Sequence, residues 1–283
     1  MGHTQKRRLE LCIISDVHLG TYGCQAKALL QYLKSIQPKT LILNGDIIDI
    51  WQFSKNYWPK SHMQVLRYIL GLINKGTTVY YITGNHDELL RCFSGFTLGN
   101  FHILNKLVLQ LPNRKSAWIF HGDVFDVTMK HSKWLARLGG KGYDMLILLN
   151  TAVNLLSHKL GYGRFSFSQK IKHSVKKAIQ FVHDFEMTTA ELAAEAKYDY
   201  VVCGHIHHAE IKNIATTKGK VTYLNSGDWV ESLTALEHNK GEWHLYRHAV
   251  METQPEDDSA ETAPYLSPKE IYQQLVAEFK LPA

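Results

Sequence analysis

The sequence predicts an α/β domain, because strand-length apolar runs alternate with segments of helical periodicity along the first half of the chain. Leu41–Asn44 and Val79–Thr83 are examples of the strands, and Gln25–Ile36 and Met63–Ile73 are examples of the helices. Several of the strands end abruptly in polar residues, which predicts that they are buried and carry functional groups at their C-terminal ends. A chain of 283 residues is long enough for one such domain with an insertion, or for two domains.

The remaining strands follow from the same apolar patterning. Leu9–Ser15 is the first strand, and Ile103–Leu111 is predicted as one continuous strand. Helix Gln25–Ile36 should stop before Pro38, because proline cannot continue it. The other predicted strands, in chain order, are Ala117–Phe120, Tyr200–Cys203, Val221–Asn225 and Glu242–Tyr246.

Composition limits the partners without choosing one. A formal net charge of +6 and a pI near 9.0 favour an anionic partner: a phosphorylated substrate, an acidic lipid surface or a nucleic acid. The four cysteines show no C-x-x-C spacing, which predicts reduced thiols and a cytoplasmic protein. No apolar stretch reaches the length of a membrane span, since Asn150 and Asn154 interrupt the most apolar one, Met145–Leu156.

An insertion is predicted at about residues 126–195, where strand patterns are replaced by helical ones. The segment from Thr128 to Gln180 is rich in lysine and arginine, with aromatic and aliphatic residues between them. It is either an ordinary helical subdomain with a solvated basic face, or a lid that is apolar inside and basic toward an anionic lipid or substrate. On the lid hypothesis, its candidate substrate contacts are Lys130, Lys133 and Arg164.

The C-terminal region is predicted to be separate from the domain of residues 1–250. Residues 251–266 are acidic, polar and contain proline, which predicts a flexible linker. Residues 267–283 have helical spacing, with Ile271, Leu275 and Phe279 on one face and Ser267 as a candidate N-cap.

Five strand-like runs end in motifs that contain metal-ligating residue types. In chain order the motifs are D-x-H, G-D, G-N-H-D, H-G-D and G-H-x-H. Carboxylate, amide and imidazole groups in this mixture suit manganese, iron, zinc or cobalt. The aspartate, asparagine and histidine residues of these motifs are therefore candidate metal ligands.

This order of motifs resembles that of the calcineurin-like binuclear metallophosphoesterases, and the motifs span Asp16 to His207. The resemblance implies a four-layer αββα sandwich and two divalent metal ions, with manganese expected first and iron, zinc and cobalt as alternatives. It implies that Asp46 bridges the two ions and that a bridging water of lowered pKa attacks phosphorus. His86 would then contact a phosphoryl oxygen or protonate the leaving group, so His86 and Asp46 are the predicted catalytic residues.

The same resemblance divides the ligands between the two ions. One ion is expected to bind Asp16, His18, Asp46 and His207. The other is expected to bind Asp46, Asn85, His121 and His205. Asn85 and His86 are also expected to contact substrate, and Trp51 follows the second motif at a position that could form a wall of the site.

Within this family the chain is most similar to the UDP-2,3-diacylglucosamine pyrophosphohydrolases of lipid A synthesis. The similar features are S-D-V-H-L-G at Ser15–Gly20, G-D-I-I-D-I-W at Gly45–Trp51, and the helical insertion. The resemblance implies hydrolysis of UDP-2,3-diacylglucosamine to UMP and 2,3-diacylglucosamine 1-phosphate at the cytoplasmic face of the inner membrane. The chain differs in having His86 where that family commonly has arginine.

Two other functional hypotheses remain open at this point. The first is a metallophosphodiesterase that acts on another nucleotide-linked, lipid-linked or nucleic-acid substrate, which the positive charge allows. The apolar run Met145–Leu156 favours the lipid substrate, because a nuclease does not need it. The second is a non-catalytic scaffold, but the chain keeps every metal-ligand position of the motifs.

Overall fold

A computed structural model describes residues 6–50, 57–127 and 168–249 of the chain. The strands within these ranges are β1 Arg7–Ile14, β2 Ile36–Asn44, β3 Thr78–Ile82, β4 Thr97–Leu98, β5 Phe101–Leu104, β6 Lys106–Gln110, β7 Ser116–Phe120, β8 Tyr200–Cys203, β9 Glu210–Thr216, β10 Gly219–Asn225, β11 Thr234–Asn239 and β12 Glu242–Arg247. The α-helices are α1 Ala26–Ser35, α2 Lys60–Asn74 and α3 Ser168–Glu195, with short 3₁₀ helices at Glu88–Phe93 and Asp123–Val127.

The strands form two sheets. The first has the order β12-β11-β1-β2-β3-β5-β4, with β1, β2, β3 and β5 parallel to one another. The second has the order β6-β7-β8-β10-β9, with β7, β8 and β10 parallel. Five of these parallel strands, β1, β2, β3, β7 and β8, carry the predicted motifs at their C-terminal ends.

Three apolar layers hold the elements together and give the αββα order that the family resemblance implies. Cys12 and Ile14 of β1 face α1 and α2, whereas the alternating residues Leu11 and Ile13 face the second sheet. The outer face of the second sheet is covered by α3. Because β1 is buried on both faces, its sequence is a nearly continuous apolar run.

Helix α3 packs through small and aromatic side chains near its C-terminal end. Phe185, Ala190 and Ala193 are fully buried against Val201 and Tyr223 of the second sheet. The alanines allow the helix to approach the strands closely. This end of α3 therefore belongs to the packed core of the domain.

The prediction of one strand over Ile103–Leu111 is wrong. The chain bends at Asn105, so that β5 pairs with β3 in the first sheet and β6 pairs with β7 in the second. An apolar pattern alone cannot show this change of sheet, because both halves of the segment have the same strand periodicity. The strands β4, β9 and β11 were also absent from the sequence-based prediction.

Several sequence-based predictions fall outside the described residues. They are the body of the insertion before Ser168, the linker at 251–266 and the helix at 267–283. None of the helices within the described ranges combines the length and apolar character needed to cross a membrane.

Candidate metal centre

The five motif loops meet at the C-terminal ends of the parallel strands, where several of their residues have an unusual backbone conformation. Asp16, His18, Asp46, His205 and His207 all have positive φ, between 51° and 68°. For residues with a Cβ this conformation is sparsely populated and costs of the order of 1 kcal/mol or more. Such strain concentrates at functional sites, where the surrounding structure holds the backbone in place.

These loops bring six of the seven predicted ligands into two groups. One group contains Asp16, His18 and His207, and the other contains Asp46, His121 and His205; the donor atoms within each group lie within 4.8 Å of one another. A third group, of His18, Asp46 and His86, overlaps both. Asp46 therefore lies between the two groups, as expected of a shared carboxylate.

The seventh predicted ligand, Asn85, lies beside Asp46. The backbone N–H of the next residue, His86, donates to Asp46 Oδ1 at 2.9 Å. The Oδ1 atom of Asn85 is buried and makes no hydrogen bond within the described part of the chain. It is therefore available as an oxygen ligand close to the shared carboxylate.

Four buried oxygen and nitrogen atoms of the predicted ligands have no hydrogen-bond partner among the described residues. A buried polar atom without a partner costs roughly 1–3 kcal/mol. A divalent cation bound by these nitrogen and oxygen atoms would remove that cost, and their chemistry suits a transition metal. The residues present therefore fit a metal centre. The four atoms are Asp16 Oδ1, His18 Nε2, Asn85 Oδ1 and His121 Nε2.

The histidine rings are oriented through their Nδ1 atoms. His121 Nδ1 donates to the carbonyl of Asn44 at 2.8 Å, which leaves Nε2 at 3.2 Å from Asp46 Oδ2. His18 Nδ1 lies 3.2 Å from Asp49 Oδ2, so the Nε2 atom of His18 points away from Asp49. A hydrogen bond at one ring nitrogen sets the tautomer and presents the other nitrogen to a metal.

Asp228 is a charged neighbour of His207 that the sequence analysis did not identify. His207 Nε2 lies 3.2 Å from Asp16 Oδ1, and its Nδ1 lies 3.9 Å from Asp228 Oδ2. Asp228 Oδ1 accepts hydrogen bonds from the backbone N–H groups of Val230, Glu231 and Ser232. The sequence does contain a pattern that could have identified Asp228. It follows the apolar strand β10 in N-S-G-D, as the other motif residues follow their strands.

Electrostatic coupling keeps the central carboxylates ionised. Burial alone would raise the pKa of Asp16, but the charge of His207 beside it lowers that pKa to about 2. Burial of Asp46 is likewise outweighed by His121, and the pKa of Asp46 falls well below its usual value. Conversely, burial would lower the pKa of His207, but Asp16 raises it to about 9. Asp16 and Asp46 are therefore held in the ionised form, which is the form that binds a cation.

Asp49 lies between His18 and His86. Its Oδ2 atom is 3.2 Å from His18 Nδ1 and 2.8 Å from His86 Nδ1, and the residue is 1% exposed. Burial opposes ionisation of Asp49, but its two histidine partners lower its pKa well below the usual range. Burial would also lower the pKa of His86, but the contact with Asp49 and the charge of Asp46 raise it.

Asp87 connects loops rather than contacting His86 or capping the 3₁₀ helix that follows it. Its Oδ1 accepts from the Gly84 N–H, and its Oδ2 accepts from the Ile47 N–H at 3.0 Å and the Tyr81 hydroxyl at 2.6 Å. No side-chain hydrogen bond caps the helix at Asp87. Asp87 therefore joins the loop after β3 to the loop after β2.

The other predicted substrate contacts are not in the described part of the chain. Trp51, Lys130, Lys133 and Arg164 all lie outside it. A positively charged side chain that contacts a motif residue is Arg91, whose Nη2 donates to Asp123 of the H-G-D motif. This contact connects the 3₁₀ helix after the G-N-H-D motif to the loop that follows β7.

Comparison with known proteins agrees with this arrangement. The chain belongs to the calcineurin-like phosphoesterase family, whose profile matches residues 9–209. Calcineurin-like phosphoesterases bind divalent metals, and the two groups of aspartates and histidines are the candidate metal sites of this chain.

Two curated relatives cover most of the chain. The UDP-2,3-diacylglucosamine hydrolase of Blochmanniella pennsylvanica is 23% identical over 82% of this chain and 93% of its own length. The protein of the same name from Blochmanniella floridana is 24% identical over 88% of this chain and 96% of its own length. Among solved structures, a dimetal phosphatase from Danio rerio is 12% identical, covering 84% of this chain and 98% of its own, with a TM-score of 0.38.

Proposed function

We propose that the protein is a binuclear metal-dependent hydrolase that cleaves the diphosphate of UDP-2,3-diacylglucosamine, giving UMP and 2,3-diacylglucosamine 1-phosphate. The observation that supports this most directly is that two groups of aspartates and histidines lie close to Asp46. The family match and the names of the relatives support the substrate.

The proposed metal ligands follow from the two groups. Asp16, His18 and His207 would hold one ion, Asn85, His121 and His205 would hold the other, and Asp46 would hold both. Two bound divalent cations supply charge neutralisation at phosphorus and lower the pKa of a coordinated water. Manganese is the proposed metal, and iron, zinc and cobalt share these ligand preferences.

The proposed role of His86 is to donate a proton or a hydrogen bond to the phosphoryl group or the leaving oxygen. Its Nδ1 faces Asp49 at 2.8 Å, so its Nε2 is the nitrogen directed away from that carboxylate. Its backbone N–H donates to Asp46, which holds its loop against the shared ligand. Asp49 would act through His86 and His18 by fixing the orientation of both rings.

The proposed domain organisation assigns the diacylated part of the substrate to the insertion at about 126–195. Residues 1–250 would form the catalytic domain, 251–266 a linker and 267–283 a terminal helix. Lys130, Lys133, Arg164 and Trp51 remain proposed substrate contacts. We expect the protein to act in the cytoplasm at the inner membrane surface, where a diacylated substrate is available.

Assays of three substrates test the function. The purified protein loaded with Mn²⁺ is incubated with UDP-2,3-diacylglucosamine, bis-p-nitrophenyl phosphate and single-stranded DNA, and UMP release is measured for the first. We expect turnover of the lipid-linked nucleotide with the highest kcat/KM. Turnover of the two diesters alone would show that the protein is a general phosphodiesterase and would refute the proposed substrate. No turnover of any of them would refute the proposed activity.

Replacing residues 130–165 by a short glycine-serine linker tests whether the insertion binds the acyl chains of the substrate. Activity on the diacylated substrate should fall far more than activity on bis-p-nitrophenyl phosphate, because only the first needs contacts to acyl chains. Equal losses on both substrates would show that the insertion only supports the fold.

A further inference from the structure

A second cluster of metal-ligating side chains lies outside the residues assigned to the binuclear centre. It consists of Glu186 of α3, His208 after β8, and Glu210 at the start of β9. One donor atom from each residue lies within 4.8 Å of the other two. The proposed mechanism uses none of these three residues.

The distances within the cluster are too long for hydrogen bonds but suit atoms that share a cation. His208 Nδ1 lies 3.8 Å from Glu186 Oε1 and 3.7 Å from Glu210 Oε2. Nitrogen and oxygen ligands at about 2.0–2.2 Å from a tetrahedral zinc ion stand between 3 and 4 Å from one another. Both carboxylates therefore approach the same ring nitrogen at the spacing of ligands around one ion.

Glu186 is the buried member of this cluster. Its side chain is 3% exposed, and its Oε2 atom accepts a hydrogen bond from Lys212 Nζ at 2.7 Å. Its other carboxylate oxygen, Oε1, is the atom that lies 3.8 Å from His208 Nδ1. A carboxylate this buried is costly unless it is paired with positive charge, and a bound cation would add to the pairing that Lys212 provides.

The charge and exposure of the cluster allow a cation to enter. Glu186 and Glu210 together carry two negative charges, and Lys212 offsets only one of them. The side chains of His208 and Glu210 are 52% and 34% exposed, so solvent can reach the site and supply a fourth ligand. Three protein ligands with one open position is a common arrangement for zinc.

We propose that Glu186, His208 and Glu210 form a third, mononuclear site for a divalent transition metal, with Zn²⁺ as the best fit. His208 directly follows His207, so a metal at this site would attach the loop that carries His205 and His207 to helix α3. The metal would position two proposed ligands of the binuclear centre through this loop and would take no part in the reaction itself.

Zinc stoichiometry tests the proposal. The protein is stripped with chelator, reloaded with Zn²⁺, passed through a desalting column and analysed for metal by mass spectrometry. We expect three equivalents in the unaltered chain and two in both His208→Ala and the nearly isosteric Glu210→Gln. Zinc should also raise the melting temperature of Asp46→Ala, which retains this cluster, and should not do so when Asp46→Ala is combined with Glu210→Gln.

Lys212→Met is the matched control, because it removes a charged neighbour of Glu186 and leaves the three donor atoms unchanged. It should keep the third equivalent and bind it more tightly. Equal zinc content in the unaltered chain, His208→Ala and Glu210→Gln would overturn the proposal, as would loss of the third equivalent on desalting. Failure of the binuclear centre is a separate result, since it would appear as equal zinc content in the unaltered chain and in Asp46→Ala.

Discussion

Substituting Gly84 by alanine should disable the metal centre through a single added methyl group. A Cβ built on Gly84 would lie 2.2 Å from Asp46 Oδ1, 2.7 Å from the Asp46 nitrogen and 2.8 Å from His121 Cδ2. Real Cβ atoms essentially never approach another heavy atom closer than 3.0 Å, so the Asp46 carboxylate must move by about 0.8 Å or more. A displacement of about 1 Å in a catalytic group can cost on the order of 100-fold in rate.

We therefore expect Gly84→Ala to lower kcat/KM about 100-fold and to reduce bound metal, measured by elemental analysis after desalting. Gly71→Ala in α2 is the matched control, because, apart from the backbone of α2 itself, no heavy atom of the described residues lies within 4 Å of its added Cβ. It should leave activity unchanged and stabilise the protein by up to about 1 kcal/mol in urea unfolding. Activity and metal content of Gly84→Ala within twofold of the unaltered chain would refute the close packing deduced for Asp46.

Three further substitutions test separate parts of the structure. Asp46→Ala should lose both ions of the binuclear centre, because Asp46 belongs to one ligand group and is the carboxylate that also lies near His18 of the other; retention of both ions by elemental analysis would contradict the bridging role. His86→Ala should lower kcat at least 100-fold with metal content unchanged, with the exposed His244→Ala as control, whereas equal kcat in the two variants would exclude His86 from the reaction. Phe185→Ala should cost about 3–5 kcal/mol in urea unfolding, since Phe185 is fully buried; a loss below about 1 kcal/mol would contradict the packing of α3.

The position of Asp49 shows where prediction from the sequence stopped. The motif order was enough to predict Asp46 and the motif histidines as metal ligands, because each motif follows an apolar strand. It could not decide whether Asp49 contacts substrate or orients another residue. Asp49 contacts His18 and His86, which lie on two other loops. Such contacts depend on how the loops pack against one another.

The sequence by itself determined the α/β class, the strands that carry the motifs and the seven candidate ligands. These are local properties, because hydrophobic periodicity and the residues after a strand can be identified without knowing what lies beside them. Only the tertiary structure decided that β5 and β6 belong to different sheets, that Asp228 lies beside His207, and that Glu186 of α3 approaches His208. Each of these depends on contacts between segments far apart in the chain, and the free energy that selects them comes from burial and pairing that no single segment possesses.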